Sequence, residues 1–163
     1  MAGADETFLR QAVALAHSAR ERGEDPFGAV LVFEGVVVHE AYKQTRASCD
    51  PTAHPELRAI SEYCRAHRRS TLEGFTLYAS TEPCPMCAGA IHWSRISRVV
   101  FSVSQAMLQQ LSGGTPKPAC GLIINSGRQD VEIVGPLLAE EGLAAFAGFT
   151  FRPRAQQETR SEG

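Results

Sequence analysis

Thr81-Glu82-Pro83-Cys84-Pro85-Met86-Cys87-Ala88-Gly89-Ala90-Ile91 is the stretch on which the fold turns. A short strand over 75–80 runs into a proline-rich turn at 81–85. A helix is then expected from Pro85 to Trp93, because proline is accepted in a first helical turn. Cys84 and Cys87, three apart at the start of that helix, project to one side and can share one ion. The positive field of a helix N-terminus favours the thiolate forms, which are the forms that bind zinc.

Thirty positions before Cys84 stands a second junction of loop and helix, Thr52-Ala53-His54-Pro55-Glu56. The helix expected there runs over 55–65, with Leu57, Ile60 and Cys64 on one face. His54 supplies a third, nitrogen ligand. Three protein ligands leave the fourth tetrahedral position open, which distinguishes a catalytic zinc from a closed structural one. Glu56, two residues beyond His54, does not share its helix face and is the candidate proton carrier. Two blander readings compete: a redox dithiol, or a closed zinc site with Cys49 as fourth ligand, which would make the protein a structural or binding module.

The remaining elements follow from periodicity. Apolar residues at helical spacing predict a helix over 7–22, ended by Gly23. Apolar runs at 27–33 and 36–42, separated only by Glu34-Gly35, predict a β-hairpin. Further strands are expected over 98–103 and 130–134, and helices over 104–111, capped by Ser104, and 136–149, interrupted by Gly142 and Gly148. Strands alternating with helices after an opening hairpin predict an α/β sandwich on a central five-stranded mixed sheet.

At 163 residues, 44% hydrophobic and 21% charged, the chain fits one domain, taken as 1–152, followed by a polar tail over 153–163. The longest apolar run, Phe27 to Phe33, is too short to cross a bilayer, and the acidic start lacks the pattern of a secretory leader, so a cytoplasmic location is expected. Five cysteines without a regular framework suggest thiol or metal chemistry before disulfides. The net charge of −2 argues against a dominant nucleic-acid surface. The basic cluster Arg65, His67, Arg68 and Arg69 falls at a helix end, where cations complement the dipole.

Pro26-Phe27-Gly28-Ala29-Val30, Asp50 to Glu56 and Glu82 to Ile91 resemble the zinc-dependent cytidine and deoxycytidylate deaminase superfamily, and are most similar to its guanine deaminase and tRNA adenosine deaminase branches. H-x-E followed by P-C-x-x-C is the signature of these enzymes. The resemblance runs from the first helix to about Phe149. It implies a cytidine-deaminase-like αβα fold, one zinc per subunit on His54, Cys84 and Cys87, a homodimer, and replacement of an exocyclic amine by water with release of ammonia. It favours a small nucleobase or nucleoside, guanine-like before cytosine-like, since the strongly basic C-terminal helix of tRNA deaminases is missing. A tRNA adenosine substrate is the alternative.

Trp93 is similar to the tryptophan that guanine deaminases present to the purine; otherwise it packs its own helix. Phe27 is a pocket wall or a core strand residue. Pro55 stands where the family has alanine and deletes a backbone N–H at the metal site. Lys43 stands where the family has a base-contacting asparagine; it donates only, whereas asparagine also accepts, unless it is simply an exposed loop lysine. The loop over 112–118 resembles neither branch closely. His17, His39, His67 and His92 read as surface or helix residues, Cys64 as core, and Glu82 as a turn or supporting residue. The likeness to guanine deaminases also suggests a C-terminal cover involving Phe149 and Phe151.

Overall fold

The computed structural model describes residues 2–127 and 129–152. In chain order the elements are α1 (Ala2–Glu21), β1 (Gly28–Phe33), β2 (Val36–Tyr42), α2 (Pro55–Ala66), β3 (Thr76–Thr81), α3 (Pro85–Ser94), β4 (Arg98–Val103), α4 (Gln105–Ser112), α5 (Cys120–Ile124), β5 (Glu132–Val134) and α6 (Ala139–Ala144). They build the expected mixed sheet of five strands, in the order β2-β1-β3-β4-β5. β1 runs antiparallel to β2 and β3, while β3, β4 and β5 are parallel.

Glu34 and Gly35 both take positive φ, 50° and 74°. That pair of left-handed residues is what a two-residue turn needs to match the twist of the flanking strands. β1 reads Gly-Ala-Val-Leu-Val-Phe and is buried along nearly its whole length because both sheet faces are covered. Leu31, Leu77, Ala79 and Val99 pack in one cluster with Ala59 of α2 and Ala88 and Ile91 of α3. Val30, Tyr78 and Val100 alternate to the opposite face and pack with Leu9 and Ala12 of α1.

Gly28 sets how closely α1 approaches the sheet. A Cβ there would collide with the Ala12 carbonyl oxygen and lie 2.6 Å from Leu15 Cβ and 2.7 Å from Ala16 N. Ser80 Oγ accepts the Gly28 N–H at 3.0 Å, so the strand cannot retreat without breaking that bond.

Three elements differ from the sequence pattern. α1 starts at Ala2 instead of Thr7. Its first turn is held by Asp5, which accepts from Tyr78 Oη at 2.7 Å and from Arg98 Nη1 and Nη2 at 2.6 and 2.8 Å. The helix expected over 136–149 shrinks to Ala139–Ala144. Leu138 enters it with φ 54°, and Gly148 at φ 67° breaks the chain beyond it. Gly142 survives because a Cβ would strike Ser102 Oγ and sit 2.8 Å from Val103 Cγ2. α5, to which the sequence pattern assigns nothing, packs against α3. The tail expected over 153–163 lies outside the described residues. Among the described residues no helix is long and apolar enough to cross a membrane.

Gly28→Ala is expected to destabilise the protein by about 1–3 kcal/mol, the usual penalty for overpacking. Urea unfolding measures it, and an unchanged midpoint would show that α1 can move aside freely.

Candidate active site

α2 and α3 begin alike. His54 is the N-cap of α2, with φ −78° and ψ 149°, and Cys84 is the N-cap of α3, with φ −67° and ψ 167°. Proline follows each, and proline drives its predecessor into extended backbone, so the ligand side chain turns off the helix axis. Neither cap side chain bonds its own helix. Cys87 lies on the first turn of α3, buried.

The ligand atoms of His54, Cys84 and Cys87 all lie within 4.8 Å of one another. Cys84 Sγ is 3.6 Å from His54 Nδ1. A tetrahedral zinc with bonds of about 2.3 Å to sulfur and about 2.05 Å to nitrogen separates such atoms by about 3.6 Å. The donor set therefore fits one zinc ion. Among the described residues no fourth His, Cys, Asp or Glu joins the group. Cys49 is exposed, its Sγ 3.8 Å from the Arg46 carbonyl oxygen, so it does not close the site.

In the protein alone, the hydrogen bond from Cys87 lowers the Cys84 thiol, against burial and with help from His54. Cys87 is raised by the Cys84 contact, by burial and by the Glu56 charge. Burial pulls on the charged form of His54, but the Cys84 hydrogen bond and the Glu56 and Cys84 charges outweigh it and raise the imidazole. Glu56 is only 5% exposed, and burial pushes its carboxyl up to about 7 while the His54 charge opposes. A cation on the three ligands would draw it back down.

Lys43 is not an exposed loop lysine. Its side chain is 12% exposed and its Nζ pairs with the Asp25 carboxylate, which also binds Arg46 Nη2 at 3.0 Å. Its N–H donates to the Phe27 carbonyl at 3.0 Å, and its Nζ lies 5.5 Å from the Phe27 ring centroid. Its charge is felt at His54. Phe27 itself is half-buried and meets Phe146 edge-on at 5.7 Å. Phe149 and Phe151 pack on Phe146 at 6.5 and 5.9 Å, so the C-terminal segment reaches this aromatic cluster. Pro55 is buried at the first position of α2.

Trp93 is not brought to these residues. It is 81% exposed, with His92 perpendicular to it at 5.3 Å, and it lines a crevice with Arg95, Ser126 and Gln129. Six residues past Cys87 place it about 120° around the helix and about 9 Å along it. This exposure also leaves it outside the packing of α3. Three other histidines have separate partners: His39 Nε2 lies 2.8 Å from a Glu62 carboxylate oxygen, His67 stacks on Tyr63, and His92 Nδ1 is 2.9 Å from the Ile124 carbonyl oxygen. Arg65 lies in the last turn of α2 and Arg69 sits over the Phe75 ring, at the opposite end of α2 from His54.

Two residues that sequence patterns do not single out hold the loop leading to His54. Glu24 accepts the N–H groups of Arg46 and Ala47 at 3.0 and 2.8 Å, and Asp25 takes Lys43 and Arg46. The only available signal is an acidic pair directly before an apolar strand.

Residues 2–103 match the family described as the cytidine and deoxycytidylate deaminase zinc-binding region. The chain belongs to this family of zinc-type hydrolytic deaminases. It is 37% identical over 143 residues to a tRNA-specific adenosine deaminase of Bacillus subtilis, covering 84% of this chain and 83% of that one. It is 36% identical over 150 residues to a probable cytosine deaminase of Schizosaccharomyces pombe, covering 89% and 91%. The crystal structure of the guanine deaminase from Bacillus subtilis superimposes with a TM-score of 0.64 at 33% identity, over 88% of this chain and 92% of that one.

Cys87→Ala is expected to lose bound zinc, read by atomic emission, while far-UV circular dichroism shows a folded protein. Full zinc occupancy in this variant would remove Cys87 from the ligand set.

Proposed function

We propose that the protein deaminates a small nucleobase or nucleoside, a guanine-like purine before a cytosine-type base, and that it works as a homodimer. The observation that carries the small substrate is the state of the cations near the ligands. Lys43 and Arg46 both pair with Asp25, and Arg58 pairs with Glu62. Cations spent on carboxylates in this way are poorly placed to grip a phosphate backbone.

Zinc, when held by His54, Cys84 and Cys87, supplies a Lewis acid that activates water at neutral pH. Glu56 takes the proton lost as water adds to the amine-bearing carbon and passes it to a ring nitrogen. It then carries the second proton of that water to the departing amine, so that water enters and ammonia leaves. Phe27 offers a ring face to the base. Lys43, which only donates, calls for a lone pair on the substrate's edge, and Pro55 withdraws an N–H at the same site. Trp93 lies apart from the ligands of its own subunit, so the stacking role that resemblance gives it would be met across a subunit contact; its free indole face and the exposed Leu122 of α5 are candidates for cover by a second subunit.

A tRNA adenosine substrate is the second reading, favoured by the likeness to the Bacillus subtilis tRNA-specific adenosine deaminase. Ammonia release from guanine, guanosine, cytosine, cytidine, adenine, related amino-heterocycles and tRNA separates the two. Release from a free base supports the proposal. Release from tRNA alone, with affinity falling steeply as salt rises, replaces it. Glu56→Ala is expected to keep its zinc and lose turnover by about 10²–10⁴-fold; retained activity would take Glu56 out of the mechanism. Trp93→Ala is expected to raise KM with the best substrate, and an unchanged KM would remove Trp93 from the site.

A further inference from the structure

We infer that Glu82 is a positioning residue for the metal centre, clipping the start of α4 and the start of α5 to the loop that delivers Cys84 and Cys87. The inference rests on zinc binding by His54, Cys84 and Cys87, and it is independent of which amine is the substrate.

Glu82 is buried, and every polar atom it carries is engaged. Its N–H donates to the Val103 carbonyl at 2.7 Å, at the end of β4. Its carbonyl oxygen accepts Gln105 Nε2 at 2.6 Å. Its carboxylate accepts the Gln105 N–H on one oxygen at 2.8 Å and the Cys120 N–H on the other at 2.7 Å. Gln105 and Cys120 are the first residues of α4 and α5. One side chain therefore caps two helices that begin 23 and 38 residues further along the chain.

The second anchor of α5 lies on α3. His92 Nδ1 meets the Ile124 carbonyl oxygen at 2.9 Å, so α5 is tied at its start to the residue two before Cys84 and at its end to the last turn of the ligand helix. α5 has no side-chain cap of its own. Without the Glu82 carboxylate, its first N–H would be buried and unmet, and α5 could no longer brace α3 at both ends. Pro83 and Pro85 stiffen the chain on either side of Cys84, so a displacement of residue 82 passes to the two sulfurs instead of being absorbed between them. Outer residues that fix metal ligands commonly alter metal affinity 10–100-fold when changed.

Glu82→Gln tests this without changing size. The amide keeps one acceptor and turns an N–H₂ group toward the other backbone donor. The full-length protein, loaded with zinc, is challenged with excess chelator well below its unfolding temperature. Zinc release is expected to accelerate by about tenfold or more. In cobalt-substituted protein the thiolate-to-cobalt absorption bands are expected to shift or weaken. A variant that melts earlier but releases zinc at the wild-type rate, with unchanged cobalt bands, overturns the inference, since Glu82 would then act on the fold alone. Should Glu82→Gln fail to fold, Gln105→Ala removes the bond to the Glu82 carbonyl and is expected to speed release by a smaller but measurable factor; wild-type release there overturns the inference as well. Wild-type protein that takes up no zinc would instead remove the metal-site reading beneath it.

Discussion

The structure depends on two helix N-termini meeting at one point. β3 delivers Cys84 at its carboxyl end, beside the parallel strand β4, where α/β sheets commonly open their binding crevices. α2 brings His54 to the same place. N-cap positions ordinarily hold Ser, Thr, Asp or Asn, whose side chains bond the exposed N–H groups; giving them up costs about 1 kcal/mol per helix. Here the caps are His54 and Cys84, without cap bonds. Proline at the next position offsets part of the loss, because it removes one orphan N–H and presets φ for the helix. The helices thus start with candidate ligands where stability alone would place hydroxyls or carboxylates.

Because the ligands sit on loop ends, the loops must be held by something other than the helices. Buried carboxylates do this. Glu24 and Asp25 bind the backbone and cations of the segment leading to His54, and Glu82, two residues before Cys84, binds the backbone N–H groups of Gln105 and Cys120. A carboxylate taken out of water is tolerable only when its oxygens are met by donors or cations. Glu56 is the contrast: it is equally buried, yet burial is the dominant influence on it and raises its carboxyl to about 7. Carboxylates that hold the loops are matched by donors, whereas at Glu56, beside the candidate ligands, burial outweighs the hydrogen bonds it accepts.

Much of this could be read from local sequence. Glu34-Gly35 specifies its turn, Pro55 and Pro85 mark helix starts, and Ser104 does accept the Met107 N–H at 3.2 Å as an N-cap should. What escaped reading is set by distant contacts. α5 is five residues of almost unbroken apolar character, too short to show a period, and its cap lies 38 residues away in Glu82. The short α6 begins only after Leu138, which turns left-handed and accepts Ser102 Oγ, 36 residues away, on its carbonyl oxygen. The early start of α1 follows from Asp5 binding Arg98, 93 residues away. For Lys43 the local sequence leaves a base contact and an exposed loop lysine both open, because nothing near it shows that Asp25 lies across from it.

The same distinction bears on the chemistry. The candidate metal ligands and Glu56 belong to motifs of a few adjacent residues, so the reaction class is written locally. The polar edge beside Phe27 is assembled from Asp25 and Lys43, 18 residues apart, and on the proposed reading the choice of substrate depends on that pairing. An ammonium carries three donors, and Asp25 engages it from one side. On the proposed reading, the donors left over require a lone pair where the family's asparagine would satisfy either a donor or an acceptor. Pro55 acts in the same sense, since it withdraws a donor at the ligand end of α2. Specificity in this pocket is then a matter of which ring edge supplies acceptors beside Lys43 while asking for no donor at Pro55. A relative that keeps the motifs but differs at these positions can share the reaction without sharing the base.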